Sequence, residues 1–178
     1  MVRCTFSPAR AWRPAVVARL ARTLGVTEHM SLPTTTVKYQ DLESALDWSS
    51  SGGPYENTAL LSRRTGDVFL KSMHGDFGEE LPEDIEDGTL YVSVPHKNEL
   101  NLGRELVFDF LESVAPQHQR AVESYFRNRG AYAKFKTLLE RESILDEWYS
   151  FESEATRSAL LKWASKNGFH VTDIPSAA

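Results

Sequence analysis

The chain has 178 residues and a mass of 20.1 kDa, with 20 Lys and Arg against 25 Asp and Glu, a formal net charge of −5 and 41% apolar residues. Such a chain buries about two thirds of its unfolded surface as one compact domain, and no apolar run approaches the roughly 20 residues that a membrane-spanning helix needs. The one cysteine, Cys4, excludes an internal disulfide framework and a cysteine zinc cage, and the acidic balance argues against a general nucleic-acid coat while leaving room for a local basic face.

Residues 1–33 stand apart in composition. Arg3, Arg10, Arg13, Arg19 and Arg22 precede Met30 with no lysine and one acid, Glu28. Pro14 suits a helix start, with Val16, Val17, Leu20 and Leu24 on one side and Gly25 as its end. Three readings stand side by side: an organelle-type transit peptide, upstream codons ahead of a start at Met30, or a helix docked on the body or on a partner. A secretory signal is excluded, because the apolar stretch from Ala15 to Leu20 is short and broken by Arg19. The expected organisation is an Arg-rich leader at 1–33, a single α+β domain at 34–174 and a frayed tail at 175–178.

Thr34 to Tyr39 is β-branched and aromatic and predicts a short strand. Leu42, Ala45 and Leu46 then fall at helical spacing, with Asp41 and Glu43 near the positive end of the dipole. Ser49 to Pro54 is expected to form a flexible loop. Thr58–Arg63 and Asp67–Met73 predict a hairpin joined at Gly66, and Leu90–Val94 predicts a third strand that Pro95 stops.

Beyond Pro95 the apolar period changes from two to about 3.6. Leu106, Val107, Phe110, Leu111 and Val114 form the stripe of one helix, and Val122, Tyr125 and Phe126 that of a second. After Asn128-Arg129-Gly130 a third helix turns Tyr132, Phe135, Leu138 and Leu139 inward. Ser143 is expected to cap a fourth, with Asp146 completing a capping box, and Ile144, Trp148, Phe151, Ala155, Ala159 and Trp163 as its stripe until Asn167-Gly168. Phe169 to Ile174 fits a last strand. Strands first and helices later predict an α+β fold, a small, mostly antiparallel sheet packed with a C-terminal bundle of about four helices.

Several short stretches carry a family likeness when taken in order: Leu42-Glu43-Ser44-Ala45-Leu46, Thr65-Gly66-Asp67-Val68 and Tyr91-Val92-Ser93-Val94-Pro95. They continue through Arg129-Gly130-Ala131-Tyr132-Ala133-Lys134-Phe135-Lys136 and Trp148-Tyr149-Ser150-Phe151 to Leu161-Lys162-Trp163. Over Val37 to Gly168 the chain resembles the bacterial group known as uncharacterised protein family 0158. The resemblance implies a bacterial, cytoplasmic protein. It implies no activity, and no functional residue is carried over from it.

Common catalytic devices are missing from the sequence. There is no Gly-x-Ser-x-Gly elbow, no Gly-x-x-x-x-Gly-Lys, no Gly-x-Gly-x-x-Gly and no His-Glu-x-x-His. No cofactor is therefore expected. Gly75 to Gly88 holds seven acids and no base, with His74 just before it. His74, Asp76 and Glu79 are the nearest approach to a metal cluster, but their spacing fails the calcium-loop pattern, and a solvated acidic loop accounts for the run. No metal site is assigned.

Arg120 to Arg141 holds six bases and two acids, Glu123 and Glu140, inside an otherwise acidic body. Arg127, Arg129, Lys134 and Lys136 are the candidate anion-binding residues, since Arg offers bidentate contacts to phosphate and a helix start at Gly130 favours an anion. A solvated face paired with Glu142, Asp146 and Glu147 competes with that reading. Trp148, Phe151 and Ala155 read as core packed on Phe110 and Phe135 rather than as a peptide groove, with Tyr149 off that face and exposed. The expectation is thus a non-enzymatic cytoplasmic binding or regulatory domain, with a protein partner or nucleic acid bound through the basic face 120–141 and no membrane. The alternative is a metal-dependent phosphoester-cleaving enzyme drawing on the His74–Asp87 acids and an arginine clamp.

Overall fold

The computed structural model describes residues 35–52, 56–73 and 81–175. The leader at 1–33, the candidates His74, Asp76 and Glu79, and residues 176–178 of the tail lie outside them.

Strand β1 (Thr35–Lys38) passes without a loop into helix α1 (Tyr39–Ser50). The change follows the residues: β-branched Thr35, Thr36 and Val37 favour extended backbone, whereas Tyr39, Leu42, Ala45, Leu46 and Ser49 recur at helical spacing and are buried. α1 ends where the Ser51 N–H and hydroxyl both donate to the Trp48 carbonyl, at 3.1 and 2.7 Å. β2 (Asn57–Ser62) and β3 (Val68–Ser72) form the expected hairpin, in register from Asn57↔Ser72 to Leu61↔Val68. β4 (Tyr91–Ser93) pairs antiparallel with the other edge of β2, giving the order β3-β2-β4.

Four helices follow, α2 (Arg104–Val114), α3 (Gln119–Tyr125), α4 (Ala131–Arg141) and α5 (Leu145–Lys166), and β5 (Phe169–Thr172) closes the described chain. The fold is mixed α+β: among the described residues, a three-stranded antiparallel sheet and a two-stranded parallel one are combined with five α-helices. The parallel pair joins β5 to β1, Thr35↔Phe169 through Lys38↔Thr172. Nothing in local sequence pattern announces that pairing, because its two strands lie at opposite ends of the described chain.

Two apolar clusters form among the described residues. The first gathers Val37, Leu42, Leu46, Ala59, Leu61, Val94, Phe169 and Val171; the second gathers Val107, Phe110, Leu111, Val122, Phe135 and Leu139. Helix α5 enters both, Trp148 packing in the second and Leu160 and Ala164 in the first. Trp148 and Leu160 are twelve residues apart, which turns them ~120° from each other on an ideal helix. The single stripe expected along α5 is therefore corrected: its buried face rotates, and Leu160 and Ala164, rather than Ala159 and Trp163, become fully buried.

Ser143 is a second correction. Its φ is +60°, its N–H donates to Glu140 O at 3.1 Å, and that of Ile144 donates to Leu139 O at 3.0 Å. These are the paired bonds of a helix C-terminal motif with a left-handed residue just past the cap. Ser143 thus ends α4 instead of opening α5, whose first turn has no side-chain cap.

The β2–β3 turn meets β1 at Gly66. Its φ is +82°, and a Cβ there would sit 2.1 Å from the Thr36 carbonyl oxygen. Gly130 has a similar φ of +78° with nothing within 4 Å of a built Cβ. Gly130→Ala should therefore cost only the left-handed penalty of about 1–2 kcal/mol, while Gly66→Ala adds a backbone clash and should cost roughly 3–5 kcal/mol. Urea unfolding of both variants checks this, and equal midpoints would contradict it. Ser143→Gly should move the midpoint the other way, by about 1 kcal/mol of added stability.

Candidate functional site

Helix α3 gives out at Tyr125, where the Phe126 N–H donates to Val122 O at 3.3 Å and the Asn128 N–H to Tyr125 O at 3.0 Å. The loop then presents Arg127, Asn128 and Arg129 to solvent before Gly130 starts α4. The four anion candidates do not converge. Arg127 lies 3.9 Å from Glu123, an exposed pair one turn apart that is worth a few tenths of a kcal/mol. Lys136 is half-buried, with its ammonium 5.1 Å from the Tyr149 ring centre on α5. Lys134 is about 200° around α4 from Lys136 and exposed. Among the described residues, no acid lies within ion-pairing distance of Arg129 or Lys134. The expected pairing with α5 is met only at its approach, through Arg141 with Glu142 at 3.3 Å.

Beside the arginine loop is a group that the periodicity missed. The Arg104 guanidinium, on the first turn of α2, lies 5.2 Å from the Phe108 ring centre and 5.8 Å from that of Phe126. Phe126 meets Tyr132 nearly at right angles, with centroids 5.2 Å apart. Phe108 and Phe126 are half-buried, and Tyr132, expected to face inward, is 40% exposed. The reason is geometric: Phe135, Leu138 and Leu139 complete the buried side of α4, and Tyr132 sits at its edge, where α3 ends. Partial burial raises the Tyr132 hydroxyl above its ordinary range, helped by the charges of Glu105 and Glu152. The spacing Arg104 to Phe108, one helical turn, was the one signal in sequence that could have revealed the group. Tyr149 is exposed as expected, at 46%.

The acidic run behaves differently. Of its described members, Asp84 accepts from the Tyr91 hydroxyl at 3.1 Å and Glu86 pairs with Lys71. Asp87 accepts from the Thr89 hydroxyl at 2.6 Å and its N–H at 2.8 Å, and the hydroxyl bond first of all holds its carboxyl below the usual range. The Asp84 and Glu86 contacts, with Ile85 buried between them, fasten the turn ahead of β4 to the sheet, and the Asp87 bonds to Thr89 close the turn itself. Among the described residues no group of three His, Cys, Asp or Glu is placed to hold a metal ion.

Two clefts remain. One of about 430 Å³ is bounded by Ser49, Thr58, Ser93, His96 and Glu99. Much of its polar lining is used by the fold: Ser49 Oγ accepts from the Ala59 N–H at 3.1 Å, His96 Nδ1 from the Asn98 N–H at 3.0 Å, and Glu99 Oε1 from the His96 N–H at 3.1 Å. The other, of about 530 Å³ between α1 and α5, is acidic through Glu43, Asp47 and Glu152. Among the described residues, no side-chain hydrogen bond joins Ser49, Thr58 or Ser93 of the first cleft to His96 or Glu99.

No family model matches the chain, and neither a curated protein nor a solved structure does. No helix among the described residues is long and apolar enough to cross a membrane.

Tyr39, beside the acidic cleft, offers a titration check on the geometry. Burial, then the charge and hydrogen bond of Glu43 at 3.1 Å, push its hydroxyl up to about 12. The unfolded chain ionises this group near 10, so the stability it lends is present below pH 10 and is lost as pH rises toward 12. Absorbance titration of the folded protein should show a late tyrosine phase that Tyr39→Phe removes; loss of an earlier phase instead would contradict the assignment.

Proposed function

We propose that this is a non-enzymatic binding or regulatory domain of the bacterial cytoplasm, whose ligand is anionic and docks on the face made by Arg104, Phe126, Arg127, Arg129 and Tyr132. The bacterial and cytoplasmic parts rest on the resemblance to uncharacterised protein family 0158, itself part of this proposal. One observation carries the choice of surface. Arg104 is held on half-buried rings, and the adjoining loop exposes Arg127 and Arg129 with only one weak acidic neighbour between them.

Physical chemistry supports an anion there. A guanidinium stacked on aromatic carbon loses little further rotamer freedom when it binds, which reduces the cost of association. Arg127 and Arg129 add long-range attraction that is strongest at low salt. Lys136 belongs to a different part of the surface, because its ammonium already rests on Tyr149.

Heparin, a generic polyanion, tests this reading. The protein should be retained at low salt, and Arg127→Ala with Arg129→Ala should elute well ahead of it, while Lys136→Ala shifts elution little. Failure to bind at any salt, or equal elution of the double variant, would overturn the proposal.

A further inference from the structure

Resting on that reading of the face, we infer that its anionic ligand is a single-stranded nucleic acid, whose bases stack on Tyr132 and the Arg104 plane while the loop arginines hold phosphates. The observations that carry it are the juxtaposed rings and charges. Tyr132 is 40% exposed and buttressed edge-on by Phe126 at 5.2 Å, so its ring is supported from behind without being covered. Arg104 lies over both Phe108 and Phe126. Arg104 is itself exposed, and guanidinium planes, like aromatic rings, are platforms for unpaired bases.

An acidic peptide would satisfy the arginines but has no use for the stacking surface. A duplex would satisfy the arginines too, yet keeps its base faces covered. Among these polyanions, only a single strand offers a run of phosphates and open base faces together. The phosphates fall to Arg127 and Arg129, the exposed cations of the adjoining loop. Glu123, 3.9 Å from Arg127 in an exposed pair, is displaced at little cost.

Fluorescence anisotropy on the full chain, with labelled oligothymidylate and oligouridylate of about 15 nucleotides over a salt series, tests the inference. Binding of either strand should fall with salt, and Arg127→Ala with Arg129→Ala should flatten the log–log slope by about 1.4 for two lost contacts. Tyr132→Ala should weaken binding roughly tenfold at every salt concentration, whereas Tyr132→Phe should keep it, since the ring and not the hydroxyl is used. Both Tyr132 variants alter an exposed side chain, and circular dichroism verifies that they fold. A duplex of the same length bound as tightly as the single strand, or a Tyr132→Ala variant that binds like wild type, overturns the stacking role and leaves the anionic face standing. Polyglutamate bound as tightly as the oligonucleotides overturns the nucleic-acid assignment alone. No binding of any of these polyanions overturns this inference and the proposed function together.

Discussion

One helix has to be buried on two different sides. α5 carries Trp148 into the helical cluster and, three turns later, Leu160 and Ala164 into the cluster beneath the strands. The rest of the architecture follows from that demand. Neither cluster is complete without its share of α5, so neither melts alone without breaking a 22-residue helix. At the Trp148 end the indole sits edge-to-face with Phe110 and Phe135, at 5.3 and 5.0 Å. Its N–H is buried without a hydrogen-bond partner among the described residues. That omission costs about 1–3 kcal/mol, and two perpendicular ring pairs return about 0.5–1.5 kcal/mol each beyond the area they bury. The aromatic cage therefore roughly offsets the lost hydrogen bond, and the burial of the large ring system remains as net gain.

Two devices hold charged side chains in place on the surface. Around the strands, acids are used to build: Asp84, Glu86 and Asp87 pin the turn that precedes β4. Around the helices, cations meet aromatic carbon, Arg104 on two phenylalanines and Lys136 on Tyr149. A ring holds a cation without neutralising it. The charges of Arg104 and Lys136 consequently remain unneutralised by those contacts, whereas a carboxylate partner in the same place would have cancelled them.

Much of the fold was legible because its elements are locally coded. The change of period at Pro95, the Gly66 turn and the stripe of α2 are each contained within a dozen residues. What escaped depends on distant partners. The β1–β5 pairing joins Thr35 with Phe169, and the rotation of the buried face of α5 is invisible until two separate clusters are known to share it. Ser143 illustrates an ambiguity of chemistry: a small polar residue between two helices suits the start of one and the left-handed end of the other, and the backbone bonds to Leu139 and Glu140 decide for the end. For the candidate site, Arg127 and Arg129 were legible from charge alone. Tyr132 was not, since a periodicity of core positions says nothing about which of them falls at the rim, and Arg104 lies outside the basic stretch altogether.

The parallel pair also imposes an order of assembly. β1 is the first described element to be synthesised and β5 the last, and the cluster around Val37 and Leu42 waits for Leu160, Ala164, Phe169 and Val171 before it closes. The α2–α4 helices, joined by near neighbours in sequence, can gather while the chain is still growing. At roughly 5–20 residues per second, β1 spends several seconds without its partner strand, while α1 already packs on the β2–β3 hairpin. The hairpin and α1 must therefore resist wrong pairing by themselves during synthesis, and the last turns of α5 act as the latch that ends that interval.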